Sequence, residues 1–125
     1  MKKRTWLVSL TMAALIAAMA VRMIAAEKGT ECKMTGMLIC AYCNLADPEH
    51  KCSKECCQKC IEAGSPVVLK DDKGQLFLCV GAEKEKKFVT PEVFAMLGGK
   101  VKVEGMLVKN GGLQGIYVNK IEKAS

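Results

Sequence analysis

The chain has 125 residues, half of them hydrophobic, with eight cysteines, a single histidine and a formal charge of +6. That length supports one domain with one modest core. Four of the 19 Lys and Arg residues and no Asp or Glu precede residue 27, so the remainder is nearly neutral and lacks the basic surface that nucleic-acid binding uses.

Read in chain order, Met1-Lys2-Lys3-Arg4 is a positive n-region and Thr5 to Val21 is an apolar run, at about 17 residues on the lower edge of a membrane span. Ala18-Met19-Ala20 and Ile24-Ala25-Ala26 are cleavage candidates, and Glu27-Lys28 opens polar sequence. Residues 1–26 therefore read as a signal peptide, with an uncleaved anchor as the alternative, and the expected location is the periplasm or the medium. Contact with a membrane follows only from the uncleaved form. Cys32 follows Gly29-Thr30-Glu31, which is no lipidation box.

Residues 27–125 read as a single domain. After a polar lead-in to Lys33, Met34 to Cys40 is expected as a first strand, bent at Gly36. A cysteine-rich insert spans residues 40–64, with a turn or helix start at Asp47-Pro48-Glu49 and a helix-compatible stretch from Ser53 to Ala63 that Gly64 and Pro66 end. Pro66 to Lys70 and Gln75 to Val80 flank a tight turn, Asp71-Asp72-Lys73-Gly74, with glycine where positive φ is wanted. Thr90-Pro91-Glu92 supplies an N-cap, an N1 proline and an acidic first turn for a short helix to Leu97, and Gly98-Gly99 ends it. Lys100 to Glu104 alternates, Asn110-Gly111 signals a hairpin, and Leu113 to Ile121 shifts its apolar parity near Gly115, which suggests a bulge there.

Five strands with one helix between the third and fourth give a mainly β fold: a small five-stranded OB-like barrel carrying a partly helical cysteine-rich insert after strand 1. An open α+β sheet of the same strands is the alternative.

Thr35-Gly36 leading to Cys40, the run Cys56-x-x-x-Cys60-x-x-x-Gly64-x-Pro66-Val67, Gly74-x-x-Phe77 and Gly99-Lys-x-Val-x-Val-x-Gly105 together resemble an uncharacterised family of small exported bacterial proteins with an OB-like fold. The likeness covers most of residues 34–122. It implies export and the barrel. Cys43, Cys52, Cys57 and Cys79 are additions to that family's pattern.

The cluster reads Cys40-x2-Cys43-x8-Cys52-x3-Cys56-Cys57-x2-Cys60, with His50 inside it. Two close cysteine pairs a dozen or so residues apart have the ligand spacing of a thiolate metal site. Cys52, Cys56 and Cys60 share one helical face, and Cys57 with Cys60 offers a second chelating pair. Residues at i and i+4 hold their Cβ atoms ~5–6 Å apart, whereas a disulfide wants ~3.8 Å, so a metal with M–S bonds of ~2.3 Å spans a helical turn more easily. The preferred ligand set is Cys40, Cys43, Cys56 and Cys60, with Cys52, Cys57 and His50 in reserve. Zinc is placed ahead of copper as the ion. An oxidising compartment pulls the other way, toward disulfides between elements. Cys79 reads as a small buried hydrophobe, with a Cys32–Cys79 disulfide as the alternative.

Neither Cys43 nor Cys60 is followed by His, which excludes a C-x-x-C-H haem attachment. No Gly-x-Ser-x-Gly or paired-carboxylate signature nominates a catalytic nucleophile and base, so no enzyme is indicated. The expected function is an exported, small metal-binding protein, with zinc or copper serving structure or metal handling. The alternatives are a disulfide-stapled periplasmic domain that docks an unidentified protein partner without metal and, third, a thiol–disulfide oxidoreductase.

Overall fold

A computed structural model of the chain describes residues 29–125, so the segment read as a signal peptide lies outside the described residues. Five strands close a barrel in the order β1-β2-β3-β5-β4. They are β1 (Thr30–Cys40), β2 (Val67–Lys70), β3 (Leu76–Gly81), β4 (Lys100–Asn110) and β5 (Leu113–Lys123). Three helices interrupt them: α1 (Ala41–Ala46), α2 (Lys54–Glu62) and α3 (Pro91–Met96). All neighbouring strands run antiparallel except β3 and β5, whose parallel pairing closes the barrel. This is the OB-like architecture expected from the element order.

The barrel forms because its strands alternate. Val101 and Val103 are fully buried and alternate with exposed Lys100 and Lys102, and Ile116 and Val118 flank exposed Tyr117 in the same way. Leu38, Leu69, Phe77 and Cys79 complete the interior, joined by Val93 and Leu97 from α3 and its end. The α3 helix starts as its sequence requires, with the Thr90 Oγ1 accepting from the Val93 amide at 3.3 Å and Pro91 in the first turn.

Strand β1 serves two partners. Thr30 to Met37 pair with β4, and Met37 to Cys40 pair with β2. The handover falls at Met37, next to Gly36, where any Cβ would collide with the Lys70 carbonyl oxygen, so the bend expected at this glycine adjoins the corner of the barrel. Two expectations are corrected. The lead-in from Thr30 to Lys33 is strand, because it pairs with Leu107 to Glu104 of β4. The parity shift in β5 lies at Asn119, not Gly115: Glu104 pairs with Lys120 while Gly105 pairs with Val118, leaving Asn119 as the extra residue of a bulge.

The insert sits against the end of β1. Gly98, at φ +77, turns the chain after α3, and a Cβ there would stand 2.9 Å from both Cα and N of Lys54. The Gly98–Gly99 turn is thus the floor on which α2 begins. It also bonds to β1, with the Leu38 amide donating to Gly99 O at 3.0 Å and the Gly98 amide to Leu38 O at 2.7 Å. Gln58 Nε2 donates to Phe94 O at 3.1 Å and ties α2 to α3.

Candidate metal centre

Three local structures bring the cysteines together. The first is the end of β1, where Cys40 is fully buried and occupies the N-cap position of α1. Helix α1 is short and carries no side-chain cap; tertiary bonds hold it, from the Ala41 amide to Pro66 O at 2.9 Å and from the Tyr42 amide to Ser65 Oγ at 3.1 Å. One turn of this helix carries Cys43 back beside Cys40. The residues around Cys43 are therefore helical.

The second is the loop between α1 and α2, which carries His50 and Cys52. Lys70 of β2 steadies it by donating to Asn44 Oδ1 at 3.0 Å and to the Pro48 carbonyl. The third is α2. Ser53 caps it, its Oγ accepting from the Cys56 amide at 3.2 Å, and Glu55 suits the positive end of the helix dipole. Cys52 therefore lies just outside the helix, while Cys56, Cys57 and Cys60 lie on it. Cys57 is fully buried and reaches into the core; Cys43, Cys52, Cys56 and Cys60 are partly exposed.

The sulfurs converge. Cys40 and Cys52 stand 3.6 Å apart, Cys43 and Cys60 3.7 Å, and both Cys43–Cys56 and Cys52–Cys56 3.9 Å. All are well beyond the ~2.05 Å of a disulfide, and all eight cysteines are free thiols. Three overlapping groups, each with its ligand atoms within 4.8 Å of one another, are positioned to hold a metal ion. They are Cys43, His50, Cys52 and Cys56; Cys40, Cys52 and Cys57; and Cys40, Cys43 and Cys60. Of the four preferred ligands, Cys40, Cys43 and Cys60 thus share one group, and Cys56 joins it through Cys43. The three reserves, Cys52, Cys57 and His50, stand in the same cluster.

The cluster's electrostatics are those of thiols that cannot all ionise together. Burial pushes the Cys52 thiol far above its usual range, reinforced by the neighbouring Cys57 and Cys40 sulfurs. The hydrogen bond with Cys43 and then burial push Cys60 up to about 12. Cys43 is raised chiefly by its contact with Cys40, and Cys57 chiefly by burial. Cys40 alone moves down: burial opposes its ionisation, but the Cys43 amide and the Cys43, Cys52 and Cys60 thiols outweigh it. The protein's own field favours a thiolate at Cys40 and opposes one at Cys43, Cys52, Cys57 and Cys60, so a bound cation would help these four to ionise.

Cys32 and Cys79 stand apart from the cluster. Cys32 pairs with Gly105 on β4, and Cys79 lies in the core opposite Ile116, its thiol turned to Phe77 O at 3.7 Å. Cys79 is the small buried hydrophobe its strand context implied; burial pushes its pKa up to about 12. No family model matches this chain, and no significant match is found among curated proteins or solved structures.

Proposed function

We propose that the chain is an exported metal-binding protein that takes up a transition metal through the thiolates of the insert and hands it on, the metal not being a structural staple. The observation that carries this reading is the convergence of six sulfurs and one imidazole from three chain segments onto one place. A set of stapling disulfides would divide six cysteines into separate pairs. Cys43 instead neighbours Cys60 and Cys56 at 3.7 and 3.9 Å, and Cys52 neighbours Cys40 and Cys56 at 3.6 and 3.9 Å, which is a network and not a pairing.

The handling role rests on two features. Four of the six thiols are partly exposed, which leaves ligands open to exchange. Most of the barrel core also lies outside the insert, on residues such as Leu38, Leu69, Val101, Val103 and Ile116, with Ala41 and Cys57 as the insert's contribution, which favours a fold that does not rest on the metal. Export rests on the basic and apolar leader at residues 1–26.

Elemental analysis and a free-thiol count, before and after chelation, test the proposal on protein recovered from the periplasm. Bound zinc or copper with thiols that react only after chelation is the expected result. Metal-free protein with its cysteines paired as disulfides would overturn it in favour of a stapled domain.

A further inference from the structure

The three ligand groups share members in a regular way. Cys40, Cys43 and Cys52 each belong to two groups, and Cys56, Cys57 and Cys60 each belong to one. Because every pair drawn from Cys40, Cys43 and Cys52 occurs in one of the groups, these three sulfurs form a triangle with all sides under 4.8 Å. Each side of the triangle carries its own outer sulfur: Cys57 beside Cys40 and Cys52, Cys60 beside Cys40 and Cys43, and Cys56 beside Cys43 and Cys52.

We propose that this is a trinuclear copper(I)–thiolate centre, with one ion on each side of the triangle, bridging thiolates at Cys40, Cys43 and Cys52, and outer thiolates at Cys56, Cys57 and Cys60. The inference rests on the metal-binding reading and specifies its cargo. The count closes without remainder. Three shared and three unshared thiolates supply nine metal–sulfur bonds, three to each of three ions.

Three-coordination by soft sulfur is what copper(I) accepts, with a filled d shell and a low charge. Zinc prefers four ligands, and three zinc ions sharing three bridges would need six outer ligands. The cluster has three outer sulfurs and His50, which offers a fourth ligand at one position only. The sulfur separations do not select between the ions: with M–S bonds of ~2.3 Å, sulfurs stand ~4.0 Å apart about a trigonal ion and ~3.8 Å about a tetrahedral one, and the observed 3.6 to 3.9 Å suits both. The sharing pattern is what selects. Loading exchanges three copper(I) ions for six thiol protons and leaves a centre of charge −3, with no electron transferred.

The test is a titration of the reduced, metal-free full chain under anaerobic conditions with copper(I) buffered by a competing chelator, read by native mass spectrometry and copper X-ray absorption. The expected result is a step from zero to three copper ions per chain, three sulfur neighbours per copper and a short copper–copper path. Cys43→Ser breaks two positions at once and lowers the count from three to one, whereas Cys60→Ser touches one position and leaves at least two. If the cysteine variants fail to fold, the wild-type count and the copper–copper path decide alone.

Saturation at one copper per chain, or three ions without a copper–copper path, overturns the trinuclear centre while leaving the metal-binding reading standing. So does a nitrogen neighbour in the copper absorption at one ion per chain, since that assigns one mononuclear Cys3His site. Failure to bind either copper(I) or zinc overturns both.

Discussion

Substituting Gly98 by alanine tests whether the turn after α3 is the floor of the metal-binding insert. Gly98 has φ +77, a backbone conformation that costs an alanine ~1–2 kcal/mol. The added Cβ also meets Lys54 Cα and N at 2.9 Å and Ser53 C at 3.2 Å, all backbone, so the start of α2 must retreat by several tenths of an ångström. That retreat strains the Gln58–Phe94 link and the Ser53 cap, and overpacking of this kind costs ~1–3 kcal/mol. Together the two terms predict a loss of roughly 2–5 kcal/mol. Gly111→Ala is the control, because Gly111 has φ +56 but nothing within 4 Å of its hypothetical Cβ. It should show the conformational cost alone. Urea denaturation of both variants, reduced and metal-free, gives the difference, and the copper midpoint of Gly98→Ala should weaken where that of Gly111→Ala does not. If the two variants lose equal stability, α2 is not seated on Gly98 and the reasoning fails.

Removing the α2 cap with Ser53→Ala should cost ~1 kcal/mol in the same denaturation assay and increase alkylation of Cys56 in the metal-free protein. Burial raises the Cys79 thiol from 9.0 to about 12, so the folded state holds a proton that the unfolded chain has released. That stabilisation is intact below pH 9 and falls away as the pH climbs through 12, by up to about 4 kcal/mol; Cys79→Ala should flatten the alkaline slope relative to wild type, and equal slopes would contradict the assignment. Metal at a thousandfold excess over its Kd should stabilise the fold by ~4 kcal/mol, while chelation should leave the far-ultraviolet strand signal intact. Loss of that signal on chelation would make the metal structural.

Much of the barrel is legible in the chain because its signals are local. The alternation of Val101 and Val103, the Thr90-Pro91 cap, and the glycines at 74 and 111 each act within a few residues, and each appears where expected. What escapes is set by partners distant in sequence. The strand character of Thr30 to Lys33 comes from β4, more than 70 residues on. Helix α1 has no capping side chain and only six residues, and it exists because Ser65 and Pro66 satisfy its first amides. The site follows the same division. Helical spacing correctly puts Cys56 and Cys60 on one helix, but Cys52 does not share their helical face as expected, because the Ser53 cap starts the helix after it. The sharing of Cys40, Cys43 and Cys52 among three ligand groups depends on how α1 docks against α2, which no spacing in the chain encodes.

The central claim is that the six insert cysteines act as one ligand set. Alkylation of each cysteine, mapped by mass spectrometry as the reduced protein is titrated with metal, tests it most directly. Cys43, Cys52, Cys56 and Cys60 are the informative ones, since burial already shields Cys40 and Cys57. All four should lose reactivity in step, while partly exposed Cys32 on β1 stays reactive throughout. Protection of only one pair, or no protection at saturating metal, would contradict the account.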